Sequence, residues 1–318
     1  MNRPHLPTEP RRERLGNPVR RYFGATRPAF LSVTLVACLI GLASAYRDGV
    51  AVDSTTALVT LLFALVAHAG ANVVNDYHDA RSGADAANVQ RLFPFTGGSR
   101  FIQNGVLSER QTGLFGYTLL ALVIPAGLWL TWHSGPGLLA IGAAGLVVGW
   151  AYSAPPLALM TRGAGEFAIA AAWLLVVVGS DYVQRGNLAP LPVAAGLSYA
   201  LLVANLLFIN QFPDHDGDAA AGKRTLVVRL GPQTAKWAYL LIAIVAYGWL
   251  VAMVANGTLP QKTAAAAMTM VLSFSAAREL LHLAGRPEEL APAIKRTIVA
   301  ANLHGLILAA TLAWSGQR

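Results

Sequence analysis

Cysteine is nearly missing from this chain. Cys38 is the only one in 318 residues, and it sits inside an apolar run. An intrachain disulfide and a Cys-based zinc site are therefore excluded. Charge is scarce too: 13% of the residues are Asp, Glu, Lys or Arg, against roughly a quarter in a soluble domain. Acidic residues are the scarcest, 16 against 24 Lys and Arg, for a net charge of +8. That basic surplus comes with no basic aromatic groove and no nucleic-acid motif, so DNA binding is excluded. Segments of ~10 alternating residues are missing as well, which excludes a membrane barrel.

What is present is apolar. Hydrophobic residues make up 55% of the chain and the mean hydropathy is +0.49. A membrane-crossing helix needs about 20 mostly apolar residues. Nine runs qualify: 28–46, 55–75, 111–132, 136–152, 166–184, 191–212, 234–255, 263–283 and 297–315. The fourth is short and Gly-rich, and the eighth carries Arg278 and Glu279 near its end. Gly and Ala inside the runs suit close helix contact in lipid. The expectation is an all-α integral membrane protein of nine transmembrane helices, with residues 1–21 a disordered basic tail and 22–318 one domain. Ala43-Ser44-Ala45 resembles a signal-peptide cleavage site, but the tail before it is long for an n-region, so the first run reads as a retained span.

Lys and Arg set the orientation. With the N-terminus cytoplasmic, 20 of the 24 fall on the cytoplasmic side, leaving only Arg47, Arg185, Lys262 and Arg318 on the other. This is a strong positive-inside bias. It places the N-terminus and the loops after even-numbered spans in the cytoplasm.

Against so little charge, two clusters stand out. One runs from Asn72 through Asn75, Asp76 and Asp79 to Arg81, Gly83 and Asp85. The other runs from Asn210 and Gln211 through Pro213, Asp214, Asp216 and Asp218 to Lys223 and Arg224. Asn72, Asp76 and Asp79 are spaced i, i+4, i+7; Asn210, Asp214 and Asp218 are spaced i, i+4, i+8. Each set falls on one helical face, although Pro213 threatens to kink or end the second helix. Both clusters close cytoplasmic ends of spans. Facing carboxylates repel unless something positive lies between them. An oxygen-only donor set suits Mg²⁺ shared with substrate phosphates, and Arg81, Lys223 and Arg224 suit direct phosphate contact. A diphosphate beside an apolar bundle suggests an allylic diphosphate, whose cation the apolar cavity shields from water. A cation-coupled transporter is the alternative from another class. Its coupling sites are expected near the midplane rather than at helix ends.

At these residues the chain resembles the UbiA superfamily of intramembrane prenyltransferases, over about residues 22–315. Arg27-Pro28 opens the first span, Asn72 to Asp85 looks like the first aspartate-rich motif, and Asn210 to Asp218 with Gly222-Lys223-Arg224-Thr225 looks like the second. Tyr152-Ser153-Ala154-Pro155-Pro156-Leu157 with Gly165-Glu166 is similar to a further family segment. The resemblance implies nine helices around a central cavity and Mg²⁺-dependent transfer of a polyprenyl chain. It implies Asn72, Asp76 and Asp79 on one Mg²⁺, Asn210, Asp214 and Asp218 on another, and Arg81, Lys223 and Arg224 on the diphosphate.

Asp76-Tyr77-x-Asp79-x-x-x-Gly83-x-Asp85 followed by Thr96-Gly97-Gly98-Ser99 resembles the 1,4-dihydroxy-2-naphthoate branch of menaquinone synthesis, with decarboxylation of the acceptor. Other aromatic acceptors, such as 4-hydroxybenzoate or a homogentisate-like ring, are the alternative. Arg100 and Met160 depart from that branch. The implied partners are a polyprenyl diphosphate, an aromatic acceptor and membrane lipid, with no obligate protein partner, in a bacterial inner membrane. His68 either touches the acceptor or packs between helices. Tyr152 either orients an acceptor hydroxyl or anchors at the interface. Asp85 either joins the site or caps a loop. Asp216 is expected to face solvent, Asp181 to lie at the interface of the opposite face, and His304 to bond between helices. Trp129, Trp132 and Trp249 are expected as interfacial anchors.

Overall fold

The computed structural model describes residues 8–316, and among these every regular element is helical. Nine helices carry the apolar runs: α1 Ser32–Arg47, α2 Ser54–Ser82, α3 Glu109–Ser134, α4 Gly137–Ala151, α5 Gly165–Arg185, α6 Pro190–Ala220, α7 Pro232–Ala255, α8 Met270–Leu283 and α9 Ala291–Ser315. A 3₁₀ turn, Pro28–Phe30, leads into α1, and a 3₁₀ stretch, Gln261–Thr269, leads into α8. With those lead-ins, eight of the nine are long enough to cross a membrane; α4, with 15 residues, is the short one. The nine runs read from the sequence thus all become helices, and the fourth is short as its composition indicated.

Two helices outrun the bilayer. α2 has 29 residues and α6 has 31, about 45 Å each at 1.5 Å per residue, against a hydrocarbon core of about 30 Å. The excess extends past one membrane face, and it holds the acidic clusters. α2 starts where Asp53 accepts from the Thr56 amide at 2.7 Å and stops at Gly83, whose φ of +82° only glycine adopts without strain. α6 does not end at Pro213; it continues to Ala220. The anticipated break is absent, and Asn210, Asp214 and Asp218 lie on one continuous helix.

Close packing rests on small residues. A Cβ on Gly41 of α1 would lie 2.3 Å from the Val177 carbonyl oxygen of α5, and one on Gly305 of α9 would lie 2.3 Å from Val36. Val36, Val177, Tyr199 and Leu308 belong to a core shared by α1, α5, α6 and α9. Tyr199 donates to the Val33 carbonyl at 2.6 Å, satisfying a buried hydroxyl where α6 meets the start of α1. At the end of the bundle away from the acidic clusters, Arg185 pairs with Asp181 at 2.8 Å and Asp48 at 3.0 Å. Asp181 thus lies at the end opposite the acidic clusters, as expected, where it is a buried partner of an ion pair. Trp249 departs from expectation: its Nε1 donates to the Ala194 carbonyl at 2.9 Å and joins two helices. Trp129 and Trp132 are exposed. His304 bonds between helices as expected, with Nε2 3.0 Å from Ser198 Oγ.

The tail expected over 1–21 lies partly outside the described residues. From Thr8 onward, Glu9 meets Arg91 at 2.7 Å and accepts from Asn104 at 3.0 Å, and Pro18–Ala25 forms a helix leading toward α1.

Candidate active site

The site is built where α2 and α6 emerge together. Lys223 lies just past α6 and is buried. Its Nζ is 3.1 Å from Asp79 of α2 and 3.1 Å from Asp218 of α6. The two sequence clusters, 144 residues apart at this contact, therefore share one buried ammonium. Burial alone would lower the Lys223 pKa; Asp79 and Asp218 outweigh it and hold the ammonium protonated.

The segment between α2 and α3 folds back over the carboxylates. Ser99 N–H donates to both oxygens of Asp76 at 3.2 Å. Gly98 has a φ of +70°, and a Cβ there would lie 2.5 Å from Asp85 Oδ2 and 3.0 Å from Asp76 Oδ1. Only glycine permits that approach. Asn88 donates to Asp214 Oδ1, and a Cβ on Gly217 would strike Asn88 at 2.8 Å. Asp85 is buried on a short helix, Ala84–Ala87. Burial, with Asp79 and Asp76 nearby, pushes its carboxyl up to about 8. Arg100 is buried at a φ of +66° and bonds the Asp85 carbonyl. The residue that departs from the naphthoate-branch pattern thus holds the covering loop.

Below the carboxylates lies a cavity of about 490 Å³ among α1 to α6. Its head end is lined by Arg27, Asn72, Asn75, Tyr152 and Asn210 and its middle by Thr34, His68 and Trp173; the rest is mostly aliphatic. His68 Nδ1 is 2.8 Å from Thr34 Oγ1, and its ring sits edge-on to Trp173 at 5.0 Å. Asn72 donates to the Thr26 carbonyl at 3.1 Å, which leaves its side-chain oxygen as acceptor. Asn210 Oδ1 is buried with no partner, as is Arg27 Nε. A buried polar atom without a partner costs about 1–3 kcal/mol, so the Asn210 oxygen and the Arg27 N–H are an acceptor and a donor available to a polar ligand.

The sequence-derived residues are not all gathered. Asp76, Asp79, Asp214, Asp218, Lys223, Asn72, Asn210, Tyr152 and His68 are at the cluster or the cavity. Arg81 turns outward, 3.4 Å from Glu109 and 3.1 Å from the Tyr77 hydroxyl. Arg224 is exposed; its amide donates to the Thr161 carbonyl at 3.0 Å and its carbonyl accepts from Arg229. Asp216 faces solvent beside His215. Arg27, Asn75, Asn88 and Ser99 belong to the site without having been singled out for it. For Arg27 a signal existed: it is the one cation directly before the first apolar run. Glu166 is also buried near this end, accepting from Gln211.

Among the described residues, no three His, Cys, Asp or Glu side chains form a ready cage for a metal. The donor set is carboxylate and amide oxygen, on two helices, with Asn210 Oδ1 free. Mg²⁺ retains waters and takes one or two carboxylates plus substrate phosphates, so this open arrangement fits it.

A helical membrane bundle with opposed carboxylates over an apolar cavity has the architecture of an intramembrane enzyme. The model of the UbiA prenyltransferase family matches residues 34–296, and the chain belongs to that family. The 1,4-dihydroxy-2-naphthoate octaprenyltransferase of Escherichia coli strain K12 is 29% identical over 218 residues, 66% of this chain and 68% of that protein. Chlorophyll synthase of Arabidopsis thaliana is 31% identical over 169 residues, 52% of this chain and 41% of that protein. A UbiA homologue from Archaeoglobus fulgidus, solved bound to GPP and Mg²⁺, superposes with a TM-score of 0.62 at 14% identity, covering 92% of this chain and 99% of that one. These relationships answer the transport alternative in favour of a transferase.

Proposed function

We propose that the protein transfers a polyprenyl chain from its diphosphate to 1,4-dihydroxy-2-naphthoate, with Mg²⁺, at the cytoplasmic side of a bacterial inner membrane. The observation that carries this reading is the junction of two carboxylate sets through Lys223 at the head of an apolar cavity. Asn72, Asp76 and Asp79 on α2, and Asn210, Asp214 and Asp218 on α6, would hold Mg²⁺, which supplies charge neutralisation for the departing diphosphate.

Lys223 adds a fixed positive charge between the two sets, and Arg27 adds another at the head of the cavity. In this orientation the apolar walls keep water from the allylic carbon. The carbon–oxygen bond to diphosphate breaks with its electron pair on oxygen. The ring carbon that bears the carboxylate then bonds to the allylic carbon, and carbon dioxide leaves. Tyr152 and His68 line the cavity and would position the ring. Arg81 and Arg224 stay outside this arrangement unless the loops close on substrate. The charge bias of the loops supports the orientation, and the naphthoate relatives support the acceptor.

The test is purified protein in liposomes with geranyl and farnesyl diphosphates, dihydroxynaphthoate and 4-hydroxybenzoate in competition, and products read by mass. A decarboxylated prenyl naphthol that EDTA suppresses is the expected product. A prenylated hydroxybenzoate would keep the chemistry and replace the acceptor. No product from either ring would overturn the acceptor assignment.

A further inference from the structure

The first described residues form a strap across the covering loop. Glu9 pairs with Arg91 at 2.7 Å and lies 3.9 Å from Arg100. Asn104 donates to the Glu9 carboxylate and to the Pro10 carbonyl, each at 3.0 Å. Arg91 in turn donates to the Asn88 carbonyl at 2.8 Å, and Asn88 bonds Asp214. Further along, Ala25, Phe101, Val106 and Leu107 make a small apolar core, with Leu15 and Tyr22 packed on it. A Cβ on Gly24 would lie 2.8 Å from the Phe101 ring, so the strap helix Pro18–Ala25 touches the loop directly. Anything that fixes the strap therefore bears on the loop over the carboxylates.

That helix turns one face to the small core and leaves the other bare. Val19 and Phe23, one turn apart, are 73 and 61% exposed. With Arg20, also exposed, they fall within an arc of about 100°, opposite Ala25. Arg11, Arg12 and Arg14 are exposed just before the helix, against one exposed acid, Glu13. Among the described residues, none of Arg11, Arg12, Arg14 and Arg20 pairs with an acid. Arg21 is different: it bonds the Leu15 and Gly16 carbonyls at 2.6 and 3.0 Å. It thereby fixes the bend that keeps the other arginines beside Val19 and Phe23.

Bare apolar side chains are ordinary on a membrane span, but these lie outside one. Two residues separate Ala25 from Pro28, where the first span opens. The bare face thus sits at the level where bilayer meets water. A helix with apolar residues on one face and Arg along its edge lies in that interface. Arginines clustered at the cytoplasmic start of a span attract anionic headgroups. Four unpaired guanidinium groups beside two apolar side chains match such a leaflet, phosphate for the one and acyl chain for the other.

We propose that residues 8–25 dock on the anionic cytoplasmic leaflet, and that docking holds the covering loop over the carboxylates. Val19 and Phe23 dip below the headgroups, and Arg11, Arg12, Arg14 and Arg20 pair with their phosphates. The proposal rests on the cytoplasmic placement given above, and its bearing on catalysis rests on the prenyltransferase reading.

Cys38, the only cysteine, is buried, so Phe23→Cys in the full chain carries one accessible thiol for an apolar bimane probe. The labelled protein is compared in vesicles of phosphatidylcholine alone and with about one third phosphatidylglycerol. Acrylamide quenching of the probe is expected to fall about threefold in the anionic vesicles. Replacing Arg11, Arg12, Arg14 and Arg20 together by Ala is expected to abolish that difference, as is about 0.5 M NaCl. In the unlabelled wild type, hydrogen exchange of the 88–107 amides is expected to slow about threefold in the anionic vesicles, and not in the four-arginine variant. Quenching that is equal in the two vesicles, or unmoved by the arginine replacements, would overturn the docking. Exchange that ignores the anionic lipid while quenching responds would overturn the hold on the loop. Neither readout needs turnover, so a protein that processes no prenyl diphosphate would sink the prenyltransferase reading while both readouts still judge the docking.

Discussion

The two sides of this bundle treat polar atoms in opposite ways. Around α7, α8 and α9 the polar side chains satisfy one another: His304 with Ser198, Tyr247 with Thr269 and Ser273, Tyr239 with Thr297 at 2.7 Å. Asn205 Oδ1 is the exception. None of α7, α8 or α9 lines the cavity. On the cavity side, Arg27 Nε, Trp173 Nε1 and Asn210 Oδ1 are buried without partners, and all three residues line the cavity. In lipid no water stands ready to satisfy such groups. The closed side pairs most of its polar groups within the protein, whereas the cavity side keeps donors and acceptors available to a ligand.

The sharpest way to break this comparison is at the carboxylates. Asp76→Asn or Asp214→Asn is expected to lower turnover at least about a hundredfold, with the thermal transition and helical circular dichroism retained. Substantial turnover in either variant would remove that carboxylate from the site. Lys223→Ala comes next. It leaves Asp79 and Asp218 facing each other unpaired, which costs several kcal/mol, so a lower Tm is expected. A rise of about tenfold in KM for the prenyl diphosphate is expected with it. Equal effects on diphosphate and acceptor KM would mean that Lys223 is a structural bridge alone.

A paired change sharpens the contrast between the sides. His304→Ala should lower stability by about 1 kcal/mol and leave KM unchanged, while His68→Ala should shift the acceptor KM. A denaturation curve and initial rates on both variants decide it.

The smallest effect is expected at the covering loop. Burial raises the Glu9 carboxyl, but hydrogen bonds from Arg91 and Asn104 outweigh that and hold it below the usual carboxylate range. The tie is then complete at neutral pH and is lost as pH falls through that lowered pKa. Glu9→Gln should speed hydrogen exchange of the 88–107 amides modestly, since a half-exposed ion pair is worth about 1 kcal/mol or less. The difference from wild type should shrink as pH falls through that lowered pKa and vanish once the Glu9 carboxyl is fully protonated.

Much of this was legible in the sequence because lipid leaves few choices. The apolar runs had to become helices, and carboxylates at helical spacing had to share a face. Pro213 misled only locally: a single proline can remain inside a membrane helix when neighbours re-satisfy the freed groups. Arg81 could have been read correctly. It lies two residues past Asp79, about 200° around the helix, and so points away from the cluster. The bridge from Lys223 to Asp79, the Gly98 approach to Asp76 and the Asn88 contact with Asp214 had no local signature. They exist only once α2, α6 and the loop between α2 and α3 are brought together. Arg185, four residues on from Asp181, was a readable partner for it, whereas the second carboxylate on Arg185, Asp48, comes from another helix end.

The most direct test of the account is equilibrium binding of geranyl diphosphate to the wild type, to Asp76→Asn and to Asp214→Asn, each with Mg²⁺ and with EDTA. If the two carboxylate sets and the cavity form one site, binding to the wild type requires Mg²⁺ and falls sharply in both variants. Binding that is indifferent to EDTA, or unchanged in either variant, would contradict it.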